Sequence, residues 1–130
     1  MKIIFTNGCF DILHRGHLEL LKFSRKLGDK LVVGLNSDAS VRKLKGNSRP
    51  INTEDDRKAI LESLRCVDEV VIFEEDTPLN LIKSICPDVI VKGGDYKETE
   101  VVGCDIANVV IFEFVDDYST TKTIQSIVDR

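Results

Sequence analysis

The chain reads as an α/β protein, a Rossmann-like doubly wound sheet of five parallel strands with helices on both faces, forming a single domain over residues 1–130. Three observations predict it. Short runs of Val, Ile, Leu and Phe alternate with segments of helical periodicity. The runs are apolar almost throughout, as strands covered on both faces are. Polar clusters follow the first, fourth and fifth runs, where such sheets place their ligands.

The first strand is expected at residues 2–6. A helix over 16–27 follows, with leucines at 18, 20, 21 and 27 on a wide apolar face and Gly28 as its stop. The second strand is placed at 30–35. Asn52 or Thr53 caps the next helix, with Asp55 or Asp56 three residues on in a box-like arrangement, and Ala59, Ile60, Leu61 and Leu64 give it a buried side. The third strand covers 69–73. Thr77-Pro78 then opens a helix in cap-then-proline order and Pro87 closes it. Strands at 88–91 and 109–114 complete the sheet, and Ser119 caps a last helix running to the C-terminus.

Eighteen basic against 22 acidic side chains give a net charge of −4, which argues against a surface that wraps nucleic acid. A small anionic ligand stays open, because a few local cations override the global sign. Cys9, Cys66, Cys86 and Cys104 are scattered without a C-x-x-C pair, so they are expected as buried free thiols rather than as disulfides or zinc ligands. The N-terminus enters a strand at once and no apolar run approaches the ~20 residues of a membrane span. A cytoplasmic protein with no membrane partner is expected.

The chemistry concentrates in Gly8-Cys9-Phe10-Asp11-Ile12-Leu13-His14-Arg15-Gly16-His17, directly after Ile3-Ile4-Phe5 and holding both histidines of the chain. Gly8 is expected to let the backbone turn sharply and approach a ligand without a Cβ in the way. Gly16 does the same at the helix start, where unpaired N–H groups and the dipole favour an anion. His14 and His17 flank the first turn, and a neighbouring polyphosphate would push them toward cationic donors. Lys92-Gly93-Gly94-Asp95-Tyr96 and the segment 117–121 converge on the same end of the sheet. No G-x-G-x-x-G follows the first strand, which disfavours a dinucleotide fold.

Thr6-Asn7-Gly8-Cys9-Phe10-Asp11-Ile12-Leu13-His14-Arg15-Gly16-His17 resembles the H-x-G-H signature of the nucleotidyltransferase superfamily, in its cytidylyltransferase-like branch. Residues 33–38, Lys43-Leu44-Lys45-Gly46, Ser48-Arg49-Pro50, Asp56-Arg57, residues 73–78, Lys92-Gly93-Gly94-Asp95-Tyr96 and Ser119-Thr120-Thr121 are similar to adenylyltransferases acting on D-glycero-D-manno-heptose 1-phosphate. That activity occurs alone or as the C-terminal half of a bifunctional kinase/adenylyltransferase, and no kinase half is expected here. The resemblance implies transfer of AMP from ATP to a sugar 1-phosphate, giving ADP-heptose for surface polysaccharide and releasing pyrophosphate. It further implies Mg2+ carried on the substrate phosphates, no protein metal site, and a homodimer.

By that resemblance His14, His17, Lys45 and Arg57 form the catalytic set. The main chain of Thr6, Asn7, Gly8, Cys9 and Phe10, with Asp11 and Gly16, shapes the nucleotide pocket. Lys43 or Lys45 reaches the phosphates, and Lys92, Gly93, Asp95, Ser119, Thr120 and Thr121 complete nucleotide binding. Two other readings remain. One is a cytidylyltransferase for glycerol 3-phosphate, which the K-G-G-D-Y and S-R-P segments disfavour. The other is a non-catalytic nucleotide-binding module, against which the paired histidines argue. One departure stands out: between Gly103 and Val109 only Cys104-Asp105-Ile106-Ala107-Asn108 replaces the longer helical stretch usual in heptose enzymes, which alters the rim.

Overall fold

The computed structural model describes residues 1–94, 96–113 and 119–130. Strands β1 (Ile3–Gly8), β2 (Lys30–Asn36), β3 (Glu69–Phe73), β4 (Val89–Gly93) and β5 (Asn108–Phe112) alternate with helices α1 (Arg15–Lys26), α2 (Asp38–Lys45), α3 (Glu54–Glu62), α4 (Leu79–Ile85) and α5 (Thr120–Val128). All pairings are parallel, in the order β3-β2-β1-β4-β5.

Successive residues of each strand point to opposite faces, and both faces are apolar. On one, Ile4, Leu31, Val33, Val70 and Val89 pack with Leu20 and Leu21 of α1 and Leu61 of α3. On the other, Phe5, Val32 and Ile90 pack with Ile82 of α4 and with Val101. The doubly wound arrangement therefore stands. At Gly34 a Cβ would come within 2.7 Å of the Phe5 ring, so the glycine lets the second face close.

The strand starts are levelled by three aspartates. Asp29, Asp68 and Asp88 accept N–H bonds from Lys2, Leu31 and Ile3 at 2.7, 2.8 and 2.8 Å, each holding the beginning of a neighbouring strand. With the starts aligned, the carboxyl ends of the strands also end together and present their loops to one side. There the sheet opens. β1 pairs with β2 as far as Gly8↔Leu35, but with β4 only over Ile4↔Val89 and Phe5↔Ile90. Beyond that point the Thr6 hydroxyl donates to the Val91 carbonyl at 2.9 Å. Asn7 and Gly8 on one side and Lys92 and Gly93 on the other line the gap, at the position where strand order reverses.

Several boundaries differ from expectation for identifiable reasons. β1 reaches Gly8 because its ladder with β2 continues, and β4 runs to Gly93 because Lys92 and Gly93 pair with Ile111 and Phe112. α2, unanticipated, is capped by Ser37, whose side chain accepts from Ser40 N, and stops at Gly46 with φ 97°. Thr53, rather than Asn52, caps α3. Pro78, rather than Thr77, occupies the cap position of α4, and Cys86 in a left-handed conformation ends that helix before Pro87. Phe114 lies outside the described residues. The cysteines are free, but none is buried as expected: Cys9 and Cys66 are half-buried, and Cys86 and Cys104 are exposed.

Candidate active site

The loop between β1 and α1 makes its turn with side chains that ordinarily avoid it. Phe10 and Ile12 hold φ of 47° and 48°, so the turn belongs to them and not to Gly8, where the sequence had placed it. A β-branched residue at positive φ persists only where its surroundings enforce it. Here the buried Asp11 carboxylate accepts from Ile51 N at 2.6 Å and Asn52 N at 3.0 Å, and the Asp11 carbonyl accepts from the Thr120 hydroxyl at 2.5 Å. Gly8 serves differently: the Phe10 ring lies over it, 3.1 Å from where a Cβ would stand.

His14 and His17 form a reciprocal cap on α1. His14 Nδ1 accepts from Gly16 N at 3.0 Å, and His17 Nδ1 accepts from His14 N at 3.2 Å. The Gly16 amide, expected to stand open for an anion, is thus taken by an imidazole. The two rings stack with centroids 3.8 Å apart, and Phe10 tilts against His17 at 5.5 Å. Because each Nδ1 accepts, each Nε2 carries the proton. Burial lowers the His14 pKa, and it lowers that of His17 to about 4, with His14 and Lys45 adding to the effect. Both rings are neutral at pH 7 in the free protein. In that state they are neutral Nε2–H donors, which is what permits close stacking.

Lys45, the last residue of α2, and Lys92, near the end of β4, line an open cleft of about 140 Å³ with Asn7, Gly8, Cys9, Phe10 and Asp11. His17, Gly93 and Thr120 close its other sides. Burial pushes the Lys92 pKa down and that of the Cys9 thiol up. Lys43 points elsewhere: it is 72% exposed and pairs with Asp76 at 3.7 Å. Of the two lysines expected to reach an anion, Lys45 is the one at the cleft.

Arg57 is 1% exposed and does not line the cleft. Its guanidinium donates to the carbonyls of Asn52 at 3.0 Å, Cys9 at 2.8 Å and Asn36 at 2.8 Å, and to Asp38 Oδ1 at 2.8 Å. It ties the β1 loop, the end of β2, the start of α2 and the approach to α3 to one point. Thr6 is likewise turned into the sheet. Ser119 caps α5 by accepting from Lys122 N at 3.0 Å, Thr120 is buried against Asp11, and Thr121 is exposed. Asp95, Asp117 and Tyr118 lie outside the described residues. A second cleft of about 130 Å³ shares Asn7 and Lys92 with the first and adds Pro78, Tyr96 and Glu100. Glu100 and Pro78 carry no spacing signal that marks them for a site; only the fold brings them there.

Residues 5–126 match the cytidylyltransferase-like family. The chain belongs to the cytidylyltransferase-like family. It is 62% identical over 98% of its length to "Bifunctional protein HldE" of Campylobacter concisus, and 55% identical over 97% to the protein of that name in Helicobacter pylori. It spans only 27% and 28% of those relatives, respectively. Among solved structures, the lipopolysaccharide core biosynthesis protein of Thermoplasma volcanium superposes with a TM-score of 0.74 at 32% identity, over 92% of this chain and 99% of that one. Pantothenate synthetase of Thermus thermophilus shares the fold, with a TM-score of 0.62 at 19% identity over 88% of this chain and 56% of its own.

In this cytidylyltransferase-like chain the cleft suits a polyanion. The neutral imidazole of His17 and two lysines line it at the switch point, and the N-terminal ends of α1 and α5 flank it. Among the described residues no group of three or more His, Cys, Asp or Glu could hold a metal ion. Among the same residues no helix is long and apolar enough to cross a membrane.

Proposed function

We propose that the chain transfers AMP from ATP, as its Mg2+ complex, to D-glycero-D-manno-heptose 1-phosphate, giving ADP-heptose and pyrophosphate. Family membership and the relatives named for HldE and for lipopolysaccharide core biosynthesis support this reading. The observation that carries it is the stacked His14–His17 pair beside the open switch point. Its Nδ1 atoms are used internally, which makes each Nε2 the protonated nitrogen.

An oxygen of the sugar phosphate attacks the α-phosphorus in line, and the bond from that phosphorus to the α,β-bridging oxygen breaks. Negative charge then grows on the departing pyrophosphate. Donors already held in place stabilise that charge without reorganising, and this is worth most for those that tighten only in the transition state. His17, on the cleft wall, supplies a neutral donor with the His14 ring stacked against it, and Lys45 and Lys92 supply the positive charge. Arg57 acts by positioning, since its donors hold the main chain at Cys9 and Asn36. Asp11 likewise spends its carboxylate on two amides, so Mg2+ enters on the nucleotide phosphates as part of the substrate. We assign the working unit as a homodimer, to be checked by light scattering after size exclusion.

The test is pyrophosphate release with ATP or CTP crossed against heptose 1-phosphate and glycerol 3-phosphate. ATP with heptose 1-phosphate should be the fastest pair. Faster turnover with CTP and glycerol 3-phosphate would replace this reading with the cytidylyltransferase one.

A further inference from the structure

We propose that the second cleft is the acceptor site, in which Glu100 and Tyr96 select a phosphorylated sugar over a short polyol phosphate. The inference rests on the reading above and assigns the side of the switch point that the nucleotide leaves open.

Three features of the cleft carry it. Lys92 lines both clefts, so an anion held on its far side lies next to one held on its near side, as a transfer between two phosphates requires. The Lys92 ammonium is half-buried, makes no ion pair among the described residues, and sits 5.2 Å from the Tyr96 ring centroid. Burial already disfavours that charge, so an arriving phosphate supplies the counter-ion it lacks. Glu100 lines the same cleft without pairing to Lys92. A carboxylate repels phosphate but accepts hydrogen bonds from hydroxyls, so it is suited to the hydroxyl-bearing end of the acceptor. In the same cleft, Tyr96, Pro78 and Val102 offer apolar surface to the C–H faces of a sugar ring. Glycerol 3-phosphate has no ring to cover that surface.

The test uses the full chain with a non-hydrolysable ATP analogue bound. Heptose 1-phosphate is titrated while backbone amide shifts are followed, and kinetics are measured for wild type, Glu100→Gln and Tyr96→Ala. Both altered side chains are exposed, and melting temperatures check that the variants fold. Amide shifts are expected at Tyr96, Glu100 and Val102. Each variant should raise the KM for heptose 1-phosphate about tenfold, the loss of roughly one hydrogen bond to a charged group or one ring contact, while ATP affinity stays within about twofold. The KM for glycerol 3-phosphate should change less than that for the heptose. Shifts confined to the separate groove at Ile72, Glu75 and Asn80, or unchanged KM values in both variants, would overturn the assignment while leaving the transfer reaction standing. A wild type that releases no pyrophosphate with heptose 1-phosphate would instead defeat the reaction. In that event the shift map still decides whether the cleft takes the sugar phosphate.

Discussion

His17 can be divided experimentally into its two nitrogens. Nδ1 accepts from the His14 amide at 3.2 Å and completes the cap on α1, and Nε2 carries the donor assigned to the transition state. In His17→Asn the amide oxygen stands near the place of Nδ1 and nothing replaces Nε2. In His17→Gln the amide nitrogen stands near the place of Nε2 and the short-range acceptor is displaced. Loss of the cap bond is worth about 1 kcal/mol, which for a chain of this size is a fall of ~3–5 °C in melting temperature. Loss of one preorganised donor lowers turnover by about 100- to 1,000-fold. The Asn variant should therefore melt near wild type yet lose kcat by that factor. The Gln variant should melt lower and keep more of its rate, and His17→Ala should show both losses. Steady-state kinetics with ATP as the varied substrate, beside thermal melts, read all four proteins. If the Asn variant keeps its kcat and only its KM for ATP rises, His17 binds substrate and transition state alike and the reasoning fails.

Stability should also fall as pH falls through the range in which His17 charges. Its pKa is about 4 when folded and ~6.5 when unfolded, so the unfolded chain binds more protons between those values. Stability is complete above pH ~6.5 and declines toward pH 4 by at most about 3 kcal/mol; urea midpoints should show the decline in wild type and a smaller one in His17→Asn. Arg57→Lys should cost about 2–4 kcal/mol, because one ammonium cannot satisfy the carbonyls of Asn52, Cys9 and Asn36 together with Asp38. Urea unfolding measures that cost, and a near-neutral result would show that the guanidinium does not hold these segments. Replacing Cys66, Cys86 and Cys104 with serine should leave kcat unchanged in pyrophosphate release, since none lines the cleft at His17 and Lys45; a lost rate would restore a thiol role.

The fold was legible because burial on both faces writes itself into composition. All five strands come from runs such as Lys30–Asn36, in which one apolar side chain follows another, and the helices between them carry their own caps and stops. α2 was not legible, since eight residues with four charged side chains show little periodicity before Ser37 and Gly46 are known to bound it. Within the site, the sequence located the loop but not the direction each polar group takes. Arg57 and Asp11 are the residue types that bind phosphate or metal, yet both are consumed by main-chain groups. No spacing distinguishes a guanidinium that faces a ligand from one that faces three carbonyls. That distinction depends on how the 46–53 segment returns over the β1 loop, which is a tertiary fact.

The division of labour between the two ring nitrogens also explains why position 17 calls for histidine. A lysine there would provide a stronger donor toward an anion, but it has no acceptor for the His14 amide. It would also set a permanent charge against the His14 ring, whose present neighbour stacks at 3.8 Å between centroids. Asparagine and glutamine each have an acceptor and a donor, but both lie at the same end of the side chain. Imidazole alone separates them across a rigid ring, so that one edge can close the first turn of α1 while the other faces the cleft. Neutrality follows from this use, because protonating Nδ1 would remove the acceptor on which the cap depends. The positive charge that the proposed triphosphate needs must then come from elsewhere, and Lys45 and Lys92 lie on the cleft wall where it can be supplied without disturbing the cap.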